Sequence, residues 1–213
     1  GERETYYTYN IEGQLIEETT DYFRMVIPGN YDSKKRVLRD KIFYEYANSN
    51  ISYQKKESYK VNSYGQESLT GIEDIFNEYN TDGKVSIRIK DLYRVNYKKE
   101  NELSEKTISE FTYNGNNVIQ KDRVFNIRGK LVRQEIVISE NNASGALLKK
   151  TIESYFVKEG NIIGIMKLAV EDYDQNARIT RRETIVSIIN EANQLEQKAK
   201  VVEDNFSYDS THI

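Results

Sequence analysis

From Lys84 to Val95 the chain alternates almost strictly between two kinds of side chain. Val85, Ile87, Ile89, Tyr93 and Val95 fall on one side and Lys84, Ser86, Arg88, Lys90 and Arg94 on the other, with only Asp91 and Leu92 out of step. A period of two is the pattern of a half-buried β-strand. Tyr79-Asn80-Thr81-Asp82-Gly83, just before it, is turn chemistry. Asn and Asp bond back to the local backbone, and Gly takes a positive φ without a Cβ clash.

The same frame recurs: an aromatic or aliphatic residue, Asn or Asp, two free positions, a turn residue, one free position, then an aliphatic. It is read at Tyr9-Asn10…Gly13, Tyr31-Asp32…Lys35, Val61-Asn62…Gly65, Tyr79-Asn80…Gly83, Tyr97-Lys98…Asn101 and Tyr113-Asn114…Asn117. Further copies are read at Phe125-Asn126…Gly129, Phe156-Val157…Gly160, Tyr173-Asp174…Ala177 and Ile189-Asn190…Asn193, with the start of another at Tyr208. An interval of about 16 residues suits one strand of about 10–12 residues and one tight turn. Tight turns make neighbours antiparallel. The expected fold is all-β: an antiparallel up-and-down meander of about 11–13 long strands joined by Asx-Gly turns. It is expected to form a strongly curved sheet, half-barrel or barrel within a single domain, 1–213. Irregular breaks are expected at 24–33, 65–71 and 140–146. Thr184 to Lys200 also fits a helical spacing, but the β-branched run Ile185-Val186-Ser187-Ile188-Ile189 favours a strand.

Copies such as Tyr9-Asn10-Ile11-Glu12-Gly13-Gln14-Leu15 and Tyr79-Asn80-Thr81-Asp82-Gly83-Lys84-Val85 resemble the YD-repeat unit of RHS-type proteins and, more loosely, MORN-variant repeats. The chain departs from that unit where Lys35, Asn117, Ala177 and Asn193 replace Gly. The resemblance implies a repetitive β-structure of bacterial type, extracellular or in the envelope. It carries over no catalytic residues.

Strands with one apolar face need a cover. Without helices the sheet is expected to shelter its own apolar side. A flat single layer needs a low apolar content and a heavily charged surface, and with 31% charged residues it stays an option. A single Pro in 213 residues fits a chain made mostly of ladder.

Composition narrows the function. With 31 basic against 34 acidic residues there is no polybasic footprint, which sets nucleic acid and anionic membrane surfaces aside as primary partners. The absence of Cys excludes disulfides, thiolate catalysis and Cys-based zinc sites. No apolar run is long enough for a membrane-spanning helix, so an integral membrane protein is not expected. The chain opens at Gly1 inside a strand pattern, which suggests an export signal already removed.

Asp172, Asp174, Asn176 and Glu183 stand at positions one, three, five and twelve of an EF-hand-like loop, a weak calcium candidate. Ala177 replaces the Gly of position six, and the competing reading is one more Tyr-Asp turn. His212 is the only His and lies at the tail, against a His triad or metal cluster. No carboxylate pair is singled out for glycoside hydrolysis. The sequons Asn50-Ile51-Ser52, Asn142-Ala143-Ser144 and Asn205-Phe206-Ser207 matter only in a secreted eukaryotic context. Tyr44, Tyr46, Tyr53, Tyr59, Tyr79, Tyr93, Tyr97 and Tyr113 offer a stacking surface for glycan or peptide, or ordinary sheet packing.

The expected function is therefore a non-enzymatic, exported or envelope β-repeat protein acting as a binding or scaffold surface for protein or glycan. No catalytic residues and no cofactor are expected. The alternative is a periplasmic or surface carrier holding a lipid or other apolar ligand against the concave face, in a cavity lined by Val85, Ile87 and Ile89.

Overall fold

The computed structural model describes residues 2–25, 34–96, 98, 100–190, 192 and 194–204. It contains thirteen strands and, among the described residues, no helix. The strands are β1 (Glu2–Tyr9), β2 (Leu15–Met25), β3 (Lys34–Ala47), β4 (Asn50–Val61), β5 (Glu67–Tyr79), β6 (Val85–Val95) and β7 (Asn101–Asn114). They continue as β8 (Asn117–Asn126), β9 (Leu131–Asn141), β10 (Leu147–Lys158), β11 (Asn161–Tyr173), β12 (Ile179–Ile189) and β13 (Leu195–Asp204). All belong to one sheet whose spatial order is the sequence order. β1 and β13 are the two ends of that order, so the closed-barrel form of the expectation is not realised. The segment 184–200 is strand, turn and strand, not helix. The chain divides into two compact units, Gly1–Thr107 and Ile108–Ile213.

One turn design joins most of the strands. Asn10 N donates to Gln14 O at 2.9 Å and Gly13 N donates to Asn10 O at 3.0 Å. The side chain completes it, because Asn10 Oδ1 accepts from Glu12 N at 3.0 Å and from Gln14 N at 2.8 Å. One Asx oxygen thus serves two backbone N–H groups that would otherwise face only water. The same pair of bonds to Oδ1 recurs at Asn62, Asn80, Asn96, Asn126, Asn142, Asp174 and Asn190. In the turns at Asn10, Asn62, Asn80, Asn126, Asn142 and Asp174 the third residue after the Asx is left-handed, with φ of +73° at Gly83 and +58° at Ala177. Ala177 holds a conformation that costs a Cβ-bearing residue about 1 kcal/mol. Ala177→Gly is expected to stabilise the second unit by about 0.5 kcal/mol, net of the added freedom of the unfolded chain. Chemical denaturation followed by circular dichroism checks this.

Several turns depart from the expected frame. Residues 140–146 form another Asx turn at Asn142, not an irregular break. It escapes the frame because Asn141 stands where an aromatic is sought. The turn expected with Lys98 at its Asx position is built on Asn96, two residues earlier. The expected turns at 113–117 and 156–160 are two-residue turns instead, and so is the connection at Asn48-Ser49. Asn48 and Ser49 (φ +49° and +68°) and Glu159 and Gly160 (φ +55° and +90°) have the paired positive φ of the primed hairpin turns. The stretch 65–71 ends the Asn62 turn and opens β5 directly, and Arg24 belongs to β2. The Tyr31 copy and the Tyr208 copy lie outside the described residues.

Past the turn, the returning strand carries one extra residue. Thr8 faces Glu17 and Tyr9 faces Leu15, which leaves Ile16 as a bulge. Ser52, Thr70, Ser86 and Thr180 occupy equivalent positions. Each donates its hydroxyl to the carbonyl across the ladder, of Glu45, Ser58, Glu78 and Asp172, at 3.3, 2.9, 3.2 and 3.1 Å. The hydroxyl returns a bond at the point where the bulge removes one from the ladder.

The apolar side is not sheltered as expected. In β6, Ile87 and Ile89 are half-buried, but so is Lys90 on the opposite face, and the bulge at Ser86 pairs Val85 with Tyr79, away from the face of Ile87 and Ile89. Among the described residues, the buried apolar side chains are Val61, Ile72, Val124 and Ala169, and no large side chain is fully buried. Both faces mix charge with aromatic and aliphatic surface. Contacts run almost entirely between consecutive strands. Cohesion therefore comes from ladder hydrogen bonds and same-face pairs rather than from a core.

Candidate binding surface

On one face of the first unit, registered rows run across the strands. Glu45, Tyr53, Phe76 and Ile89 stand in one such row. Tyr53 and Phe76 stack with ring centroids 4.7 Å apart, and Tyr53 Oη donates to Asp74 at 2.8 Å. Phe76 remains 45% exposed. A stacked pair on a rigid strand is the kind of plate that sugars and peptide side chains use.

Further along the same face lies a charge cluster. Asp21 is 4% exposed. Arg39 grips it with Nε at 2.7 Å and Nη2 at 2.8 Å, and Arg36 Nη1 adds a third bond at 3.2 Å. Arg36 and Arg39 also donate to Glu67 Oε1, at 3.0 and 2.7 Å respectively. Arg39, helped by Arg36, holds the Asp21 carboxyl below the usual range against the opposing effect of burial. Nearby, Lys34 pairs with Glu4 and sits over the Phe23 ring at 4.8 Å.

The second unit repeats the theme. Lys150, Glu171, Arg182 and Glu203 form one row. Arg182 Nε and Tyr173 Oη both donate to the Glu171 carboxylate, at 2.8 and 2.6 Å. Burial raises the Glu171 carboxyl, but these two bonds and the Arg182 charge outweigh it and leave the group below its ordinary value. An open depression of about 440 Å³ lies beside this row, floored by Ile152, Ala169 and Val201 and walled by Lys167, Glu171 and Arg182.

The tyrosines singled out by sequence are mostly staples. Tyr46 Oη donates to Leu15 O at 2.8 Å, and Tyr79 Oη to Ile51 O at 2.6 Å. Tyr59 and Tyr155 donate to the glutamate two residues back on the same face, Glu57 and Glu153. Tyr44 reaches Glu18 at 3.4 Å. Tyr93 is half-buried, with its phenol pushed up by burial, Tyr113 lies in β7, and Tyr97 lies outside the described residues. Burial and the Glu57 bond push the Tyr59 phenol up to about 12, and the Glu153 bond with burial does the same at Tyr155. In the unfolded chain these phenols ionise near 10. Their contribution to stability is thus complete below about pH 10 and is lost as pH rises toward 12. Ultraviolet titration should show a group of late-ionising phenols that also includes Tyr53 and Tyr93, from which one is missing in Tyr59→Phe and another in Tyr155→Phe.

The calcium candidates are placed as turn and ladder residues. Asp174 Oδ1 accepts from Asn176 N and Arg178 N at 2.8 and 2.9 Å, as at the other Asx turns. Asp172 faces Arg181 across the ladder. Glu183 bonds Lys200 at 2.8 Å and Arg181 at 3.2 Å. Among the described residues no group of three or more His, Cys, Asp or Glu converges to hold a metal ion. His212 and Asn205 lie outside the described residues, Asn50 opens β4, and Asn142 is a turn residue.

Comparison with known proteins gives weak likenesses. A protein of unknown function from Bacteroides fragilis is 13% identical with a TM-score of 0.31, over 77% of this chain and 91% of that one. A porin-like protein from Bacteroides uniformis is 10% identical with a TM-score of 0.28, over 93% of this chain and 88% of that one. The crystal structure of TcdB2-TccC3 gives 12% identity and a TM-score of 0.32, over 84% of this chain and 12% of that chain. No family model matches the chain, and no curated protein matches it significantly.

Proposed function

We propose that the chain is a non-enzymatic binding or scaffold protein that uses the faces of its sheet to hold a protein or glycan. The observation that carries this reading is the character of those faces. They present stacked aromatics and paired charges at fixed ladder spacing, on surfaces that the chain leaves partly exposed.

The YD-repeat resemblance supports an exported or envelope location of bacterial type. Fractionation of the producing cell should place the chain outside the cytoplasm. A glycan and peptide array probed with labelled protein tests the binding reading. Binding that weakens at least five-fold in Phe76→Ser is expected. No binding by the wild-type chain, or turnover of an arrayed compound, would count against it. A carrier would need an apolar recess. Ile87 and Ile89 instead share their face with Glu78, Asp74 and Asp91. Native mass spectrometry should give the bare chain mass, and a retained lipid would favour the carrier.

A further inference from the structure

The Tyr53–Phe76 stack stands among carboxylates. Glu45 faces Tyr53 across β3 and β4, and Asp74 accepts the Tyr53 hydroxyl. Asp74 and Glu78 flank Phe76 on its own strand and on its own face, each about 7 Å away along β5. Asp91 lies directly opposite Asp74, on the same face of β6. Like charges directly opposed weaken a ladder. The lysines of this face leave much of that charge unbalanced. Lys55 faces Asp74 but turns its ammonium to Glu57 at 2.6 Å. Lys106 reaches Asp91 Oδ2 at 3.3 Å, while Asp91 Oδ1 is buried without a partner. Among the described residues Glu45, Asp74 and Glu78 form no ion pair.

Rings on this face already take cations from the chain itself. Lys34 sits over Phe23 at 4.8 Å and Lys41 over Tyr59 at 5.6 Å. Phe76 is 45% exposed, and its ring contact is the stack with Tyr53. We propose that this plate docks an arginine of a basic peptide segment, with the guanidinium over the Phe76 ring and its N–H groups directed to Asp74, Glu78 and Asp91. A guanidinium is planar and weakly hydrated, so it stacks on a ring and offers a fork of donors to carboxylates at the same time. The ring is held by its stack and the carboxylates stand on paired strands, so little freedom is lost on binding. The inference rests on the reading that the sheet faces hold a partner, and it narrows that partner to a cationic peptide.

The test is an NMR titration of the intact chain with hexa-arginine, hexa-lysine, hexa-glutamate and the neutral glycan cellohexaose, at matched ionic strength. Saturable shifts of the backbone amides at 74–78 and 87–91 are expected with hexa-arginine. They should be weaker with hexa-lysine, absent with hexa-glutamate, and reduced by added sodium chloride. Affinity for hexa-arginine should fall at least five-fold in Asp74→Asn/Glu78→Gln and at least three-fold in Phe76→Leu, which keeps an apolar side chain but removes the ring. It should stay unchanged in Glu140→Gln/Glu196→Gln, which removes the same charge from exposed positions of the second unit. The amide at position 74 still accepts the Tyr53 hydroxyl, so the ladder should survive, and Glu78→Gln alone, with at least a two-fold fall, serves if the double variant does not fold. An equal fall in the second-unit control, or no saturable shift with hexa-arginine, would overturn the proposal. Cellohexaose binding that is lost in Phe76→Ser, without any response to hexa-arginine, would overturn it while leaving the binding reading of the face intact. Silence of all four probes together with an empty glycan and peptide array would remove both.

Discussion

Asp21→Ala is expected to lower the stability of the first unit by about 2 kcal/mol or more, the largest loss from a single substitution in that unit. Deleting one partner of a buried ion pair costs about 3–5 kcal/mol, chiefly because the other charge is left unpaired. Here the arginine side chains are 20% and 27% exposed, so water recovers part of that loss, which sets the lower figure. The loss should depend on pH. Because the Asp21 carboxyl is depressed in the folded chain, its contribution is full above the ordinary value of 3.8 and fades as pH falls through the lowered one. Denaturation midpoints of wild type and Asp21→Ala should therefore converge in acid. A midpoint difference that stays constant down to strongly acidic pH would assign the effect to packing instead.

The second large effect is expected at the β5–β6 turn. Asn80→Ala removes the acceptor of two backbone N–H groups, those of Asp82 and Lys84, for about 1–2 kcal/mol. Gly83→Val adds a β-branched side chain at φ +73°, for about 1–2 kcal/mol. Around Gly83 the nearest atom to an added Cβ is Asn50 Nδ2 at 4.0 Å, so the cost is conformational and not steric. The double variant should lose about 2–3 kcal/mol, less than the sum, because both substitutions act on one turn. Amide exchange should accelerate first in β5 and β6, since the two strands are closed by this turn. Uniform acceleration across the first unit, with no preference for β5 and β6, would show that the turn is not a local unit of stability.

The sequence alone exposes the strands and most of the turns for a common reason: both are local. Asn10, Asn62, Asn80, Asn126 and Asp174 act on backbone groups within four residues, so their signal survives without any knowledge of the fold. The reading fails where an expected aromatic is replaced, as before Asn142, or where a two-residue turn uses Asn48 and Ser49 in place of Gly. The face chemistry was harder to see. Asp21, Arg39 and Glu67 come from β2, β3 and β5, and their meeting depends on registers and on the bulge at Val37. Alternation in β6 suggested one apolar face. The neighbours that would have had to agree, such as Lys41, Lys55 and Asp74, place charges on the face that carries Ile87 and Ile89.

Because each strand is tied to its immediate neighbours and most connections close within five residues, the order of the sheet is set one hairpin at a time. Excising a strand pair with its turns leaves the direction of every remaining strand intact, while excising one strand reverses all those after it. Chains built this way can grow or shrink by whole hairpins, in steps of about 30 residues, without a new core to design. Length polymorphism in such chains should therefore come in even numbers of strands.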